Sequence, residues 1–129
     1  MNKLQEFAAP AGRLLISLMF VTSGLSKISA YEGTQGYMEA MGVPGALLPL
    51  VILTEVLLGL AVIVGFKTRL AALGLAGFTL LSGILFHADF GDQMQMIMFM
   101  KNLAVTGGFL FLVAHGAGAY SLDKRLAQH

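Results

Sequence analysis

The sequence predicts an all-α membrane protein, a four-transmembrane-helix bundle with both termini in the cytoplasm. Hydrophobic residues make up 57% of the chain and charged residues only 12%, whereas about 25% of a soluble domain is charged. Four apolar windows are long enough to cross a hydrocarbon core of about 30 Å at about 1.5 Å per helical residue. These windows and short links use up nearly all of the 129 residues, so we expect one integral membrane domain, residues 1–129.

The predicted spans cover about residues 7–28, 46–66, 68–87 and 94–115. Arg13 interrupts the first window and no cleavage site follows it, so we do not expect this segment to be a signal peptide. On a helix, residues three or four apart share a face. Five residues of the first span recur at steps of three or four and therefore share one face: Arg13, Ser17, Phe20, Gly24 and Lys27.

The link between the first two spans predicts a short interfacial helix at about 33–41, followed by the turn Gly42–Gly45. The second span contains Glu55 and ends in a tight hairpin at 65–69. The third span ends near His87, an acidic loop follows, and the fourth span carries Lys101 and Asn102.

The distribution of basic residues predicts the orientation, because loops rich in Lys and Arg stay in the cytoplasm. The N-terminal segment carries Lys3, the hairpin carries Lys67 and Arg69, and the C-terminal tail carries Lys124 and Arg125. All three fall on one side of a four-span bundle. We therefore expect both termini in the cytoplasm and the four spans in contact with the lipid bilayer.

Several chemistries are excluded by composition. The chain has no Cys, which rules out thiol–disulfide exchange, an iron–sulfur cluster and a thiolate zinc site in this chain. The sequence contains no cluster of basic residues, so we expect no nucleic-acid partner. The four Met residues at 94, 96, 98 and 100 fan around a helix instead of sharing one face, so we interpret them as packing residues and assign no metal site.

The depths of two opposite charges give the sharpest functional hypothesis. Entering near Leu47, the second span places Glu55 about 12 Å deep, and entering near Met94 the fourth places Lys101 about 10 Å deep. A lone charge inside a membrane costs on the order of 3 kcal/mol, so pairing is expected. We predict a Glu55–Lys101 ion pair with Asn102 and Lys27 nearby, and these four residues form the candidate ligand-binding cluster.

Two interpretations of this cluster stay open. It either fixes helix packing and register alone, or lines a polar pocket that binds a headgroup, a quinone or a proton. No residue is assigned a catalytic role.

Arg13 and His87 are secondary candidates. Arg13 lies about 9 Å from the cytoplasmic face, where its side chain either extends to lipid phosphates or forms a second polar site with Ser17. His87, at the end of the third span, is either an interfacial residue or a ligand-facing one.

An ordered set of motifs runs through the chain. It comprises Arg13, Ser17, Phe20 and Gly24-x-x-Lys27; Gln35-Gly36-Tyr37-Met38 with Gly42-Val43-Pro44; Glu55; Gly65-Phe66-x-Thr68-Arg69; Phe99-x-Lys101-Asn102; and Gly118-Ala119-Tyr120-Ser121-Leu122-Asp123. In this set the chain resembles the DoxX family of four-helix membrane proteins, and is most similar to its YqjF-like branch.

The resemblance implies a multi-pass protein of the bacterial cytoplasmic (inner) membrane. Some family members are named for the small subunit of a thiosulfate:quinone oxidoreductase, and others resemble membrane partners in systems that handle oxidative or thiol stress. The resemblance therefore implies an accessory oxidoreductase subunit rather than a self-sufficient enzyme. A quinone is the candidate cofactor, a redox protein or a second copy is the candidate partner, and no family catalytic residue carries over.

Two other function classes stay open. A small-molecule transporter or exporter, working as a dimer, would use Glu55 as a titrating group. A membrane scaffold or assembly factor would hold no ligand.

Overall fold

A computed structural model describes residues 3–86, 91–118 and 120–127. Its helices, in chain order, are α1 (Lys3–Ser29), α2 (Tyr31–Ala40), a 3-10 turn (Gly45–Leu47), α3 (Leu48–Leu53), a π-helical turn (Thr54–Leu58), α4 (Gly59–Val64), α5 (Thr68–Phe86), α6 (Gln93–His115) and α7 (Leu122–Ala127).

Four helices in the described part of the chain are long and apolar enough to cross a membrane: Glu6–Ser29, Gly45–Val64, Thr68–Phe86 and Gln93–His115. The prediction of an all-α chain with four such helices is confirmed. We call Gly45–Val64, which contains α3, the π-helical turn and α4, the second span. The short helix α2 begins two residues earlier than predicted, and α7 was not predicted.

The bundle has two packing units. Helices α5 and α6 form the most extensive contact, and α1 packs along the second span. The units meet in a buried apolar core, in which Phe20 of α1 lies edge-on to Phe109 of α6 with ring centroids 5.4 Å apart. Much of each helix surface is apolar and exposed, as expected for helices that face lipid tails. Few apolar side chains are left to form the buried core, which is therefore small.

The face of α1 that carries Arg13, Ser17, Phe20 and Gly24 points inward, as the helical spacing predicts. Arg13, Ser17 and Phe20 are buried, and so is Gly24. Leu14 and Leu18, on the other face, are 46% exposed each.

The N-terminal part of α1, the hairpin between α4 and α5, and the C-terminal segment lie at the same end of the bundle. Phe7 stacks on Tyr120 with ring centroids 5.3 Å apart, and the backbone N–H of Asp123 donates to the carbonyl of Gly65 at 2.7 Å. We call this the terminal end. The far end is the one that contains α2.

Candidate ligand pocket

The π-helical turn of the second span places Glu55 inside the bundle. Thr54–Leu58 forms one wider turn between α3 and α4, and Glu55 is buried within it. Single π-helical turns inserted into α-helices are frequent at functional sites. The carboxylate of Glu55 is thus held at an irregular point of an otherwise regular span.

Lys27 of α1 is the ion-pair partner of Glu55. Its Nζ lies 2.5 Å from Glu55 Oε1 and also donates to Ser23 Oγ at 2.8 Å. The glutamate side chain is 4% exposed and the lysine 26%. The predicted Glu55–Lys101 ion pair is therefore wrong, because Lys27 reaches the carboxylate from the neighbouring helix.

Gly24 brings the two helices close enough for this pair. A Cβ at this position would lie 2.6 Å from Val56 Cγ2 and 3.3 Å from Glu55 Cβ. Because α1 packs its glycine directly on the π-helical turn, Lys27, three residues further along the same face, lies beside Glu55.

A cavity of about 490 Å³ opens next to this ion pair. Its lining includes Lys27, Glu55 and Lys101 together with mostly apolar side chains, among them Met19, Phe20, Leu50, Val51, Phe78, Leu81 and Leu85. A largely apolar cavity of this size with a few convergent polar groups is typical of small-molecule sites. The structure thus brings three of the four predicted cluster residues to one pocket.

The short helix α2 covers part of this pocket, to which Thr34, Tyr37 and Met38 contribute side chains. Met38 is buried, and Tyr37 stacks on Phe86 of α5 with ring centroids 5.5 Å apart. Gln35 Nε2 donates to the carbonyl of Gly45 at 3.1 Å, which ties α2 to the start of the second span. The predicted interfacial helix is thus part of the wall.

Asn102, the fourth residue of the predicted cluster, is bonded elsewhere. Its Nδ2 donates to the carbonyl of Thr79 at 3.1 Å and to Ser82 Oγ at 3.3 Å. Successive helical residues are about 100° apart, so Lys101 and Asn102 face different neighbours. Asn102 therefore joins α6 to α5 instead of contacting the ion pair.

Arg13 holds the terminal end together. Its Nη1 donates to the carbonyls of Val62 and Ile63 at 3.1 and 2.9 Å, and its Nη2 donates to the carbonyl of Tyr120 at 2.5 Å. The last carbonyls of a helix lack helical N–H partners and carry partial negative charge, so a guanidinium is well suited there.

The hydrogen bonds of Arg13 differ from those expected under both interpretations of the sequence. The residue is 1% exposed, so its side chain does not extend to lipid phosphates. Ser17 is buried, and its Oγ has no hydrogen-bond partner among the described residues, so it makes no hydrogen bond to Arg13.

Asp123 completes the same junction. Its carboxylate accepts hydrogen bonds from the backbone N–H groups of Lys67 and Thr68 at 2.5 and 2.8 Å, which caps the start of α5. Burial raises the pKa of this carboxyl, but the hydrogen bonds from Thr68 and Lys67 and the charge of Arg13 outweigh burial, so the pKa lies below its ordinary value.

His87 lies outside the described residues. Among the residues that the structure does describe, no group of three His, Asp or Glu side chains is placed to hold a metal ion.

Sequence reasoning missed the π-helical turn and the pairing of Lys27 with Glu55. A signal for the second was present, because Lys27 shares the inward face of α1 with Gly24, and a glycine on such a face indicates a close helix contact. The residues on either side of Glu55, from Val51 to Gly59, give no comparable signal for a π-helical turn.

The four spans, with charged side chains buried between them, define a multi-pass membrane protein. The DoxX family model matches residues 8–88, and the chain belongs to the DoxX family. It is a multi-pass inner-membrane protein.

The chain is 53% identical over 126 residues to the inner membrane protein YqjF of Escherichia coli K12, covering 98% of this chain and 97% of that one. It is 34% identical over 120 residues to the inner membrane protein YphA of the same organism, covering 88% and 86%. It is also 27% identical over 130 residues to a Surfeit locus protein 4 homolog of Drosophila melanogaster, covering 95% of this chain and 42% of that protein. No solved structure matches the chain.

Proposed function

We propose that residues 1–129 form one membrane domain that binds a small amphipathic molecule in the pocket beside Lys27 and Glu55. In this proposal the protein is an accessory subunit of a quinone-linked redox or oxidative-stress system, and a redox protein or a second copy is its partner. The observation that carries the proposal is the meeting of Lys27, Glu55 and Lys101 in one largely apolar cavity.

The apolar walls and the polar groups of the pocket would bind different parts of the ligand. Apolar side chains of α1, the second span and α5 would contact the hydrophobic part of the ligand, where burial contributes roughly 25 cal/mol per Å². Lysine Nζ groups donate hydrogen bonds, and quinone carbonyl oxygens accept them, so the ring would lie towards Lys27 and Lys101. Because α2 covers part of the pocket, its position would control ligand entry.

Mass spectrometry of the protein purified in mild detergent tests the proposal. We expect a retained amphiphile, quinone included, in the wild type and a loss of most of it in the Lys101→Met, Glu55→Gln double variant. The control is Lys124→Met, which removes an exposed lysine of α7. If the double variant folds, keeps its partner and keeps its ligand, the pocket is not the binding site.

A transporter is the second candidate, favoured by the carboxylate of Glu55 within a cavity. Such a protein would carry a weakly acidic or apolar compound and would work as a dimer. Flux into liposomes that depends on a proton gradient, and that Glu55→Gln abolishes, would support this function over the first. Stable purification with a partner and no retained small molecule would instead support a scaffold.

We also propose that the terminal end faces the cytoplasm, because the loops there carry the lysines and arginines. The pocket, with α2 beside it, would then lie nearer the opposite side of the membrane.

A further inference from the structure

The charges in the pocket do not balance among the described lining residues. Lys27 and Glu55 neutralise each other across 2.5 Å, and Lys27 has a second contact with Ser23. Lys101 lines the same cavity, but no ion pair of Lys101 is found in the described part of the chain. Among the described lining residues, two lysines and one glutamate therefore leave one positive charge unmatched.

An unmatched charge of this kind is costly inside a membrane. Ionisable side chains within spans are paired or mark a ligand pathway, because a low-dielectric surrounding disfavours an isolated charge. A ligand with one negative charge would neutralise Lys101. A neutral ligand of the same size would contact the apolar walls but leave the charge of Lys101 without a counter-charge.

We infer that the pocket selects an amphiphile whose headgroup carries a single negative charge, such as a carboxylate or a phosphate diester. The inference rests on the proposed function in one respect, that this pocket holds a ligand. The alkyl part contacts the apolar side chains of α1, the second span and α5, and the anionic group lies at Lys101. A neutral quinone then competes for the same pocket and binds less tightly than an anion of similar apolar surface.

Four decyl probes that differ only in the headgroup test this selectivity. Decanoate and decyl methyl phosphate each carry one negative charge, 1-decanol is neutral and decyltrimethylammonium is cationic. Binding of each is measured on the full chain in nanodiscs of zwitterionic phosphatidylcholine, after subtraction of binding to empty nanodiscs. The two anionic probes distinguish a carboxylate ligand from a phosphate-bearing one.

We expect at least one anionic probe to bind about tenfold more tightly than decanol, the ratio that one charge-assisted hydrogen bond supplies. Lys101→Met should remove this preference, and Lys101→Arg should keep it. Lys124→Met, at the terminal end, should leave it unchanged. Lys101 is exposed, so its replacement should not prevent folding.

The other outcomes separate the two proposals. If decanol binds as tightly as both anions, or Lys101→Met keeps the preference, the inference is overturned while the pocket remains a ligand site. If none of the probes binds above the level of empty nanodiscs, and mass spectrometry finds no retained amphiphile, the inference and the proposed function both fail.

Discussion

Lys27 Nζ lies 2.5 Å from Glu55 Oε1 and joins α1 to the π-helical turn of the second span. The glutamate is almost fully buried, whereas the lysine is partly exposed. The two residues are therefore unequal: the loss of Lys27 leaves a carboxylate buried without a counter-charge, and the loss of Glu55 leaves a lysine that still reaches a more polar surrounding.

This asymmetry predicts a non-additive result. Lys27→Met should lower the free energy of unfolding by on the order of 2 kcal/mol, because a buried charge loses its partner. The double variant Lys27→Met, Glu55→Gln should be more stable than Lys27→Met alone, since both charges are gone. Unfolding in mixed micelles, followed by circular dichroism, gives the four free energies of the cycle. Additive effects of the two substitutions would show that the pair contributes nothing to stability.

A second prediction concerns the close contact at Gly24. Gly24→Ala should destabilise the protein and reduce ligand retention, because the added Cβ would lie 2.6 Å from Val56 Cγ2 and push α1 away from the π-helical turn. Gly12 is on the same helix and has nothing within 4 Å of an added Cβ, so Gly12→Ala is the matched control. It should be neutral or slightly stabilising, because alanine has a higher helix propensity than glycine. Equal stability of the two variants would contradict the role of Gly24.

The sequence predicts the features of the fold and the pocket that are set within one segment, and fails for contacts between residues far apart in the sequence. The inward face of α1 follows from helical spacing alone, and the four spans follow from hydropathy, because each signal lies within one segment. The partner of Glu55 depends on which helices are neighbours, and depth along the membrane does not distinguish Lys27 from Lys101. The hydrogen bonds of Arg13 were not predicted for the same reason: its acceptors are carbonyls about fifty and a hundred residues away in sequence.

The hairpin at the terminal end gives a third prediction. Gly65 ends α4 with φ of +78°, and a Cβ there would overlap Ser121 Cβ and lie 2.6 Å from Arg13 Nη1. Gly42 has nearly the same φ, +82°, and open space around it. Both Gly→Ala variants cost about 1 kcal/mol of left-handed backbone strain. Gly65→Ala should cost clearly more, because it also displaces Ser121 and Arg13. Thermal unfolding in detergent compares the two, and equal melting temperatures would exclude a tight junction at Gly65.

The carboxylate of Asp123 predicts a pH dependence. Its pKa lies below the ordinary value, so the stability it contributes is fully present above about pH 4, the pKa of an unfolded aspartate. That contribution is lost as the pH falls through the lower pKa of the folded state. Asp123→Asn should cost about 1 kcal/mol at pH 7, because the amide nitrogen of Asn cannot accept one of the two backbone N–H hydrogen bonds that the carboxylate accepts. The difference in melting temperature between wild type and Asp123→Asn should shrink below pH 4. Glu32→Gln, on the exposed surface of α2, is the control, and a constant difference for Asp123→Asn down to pH 2 would contradict this account.

The orientation of the bundle can be tested cleanly because the chain contains no Cys. Lys124→Cys places one thiol at the terminal end, and Glu32→Cys places one on α2 at the far end. If the terminal end faces the cytoplasm, a maleimide that does not cross the membrane should label Glu32→Cys in spheroplasts, and should label Lys124→Cys only after the membrane is permeabilised. Both side chains are exposed, so a failure to label reflects the membrane rather than burial. The reverse pattern would place the terminal end outside, and the basic residues at 67, 69, 124 and 125 would then contradict the charge rule on which the orientation was predicted.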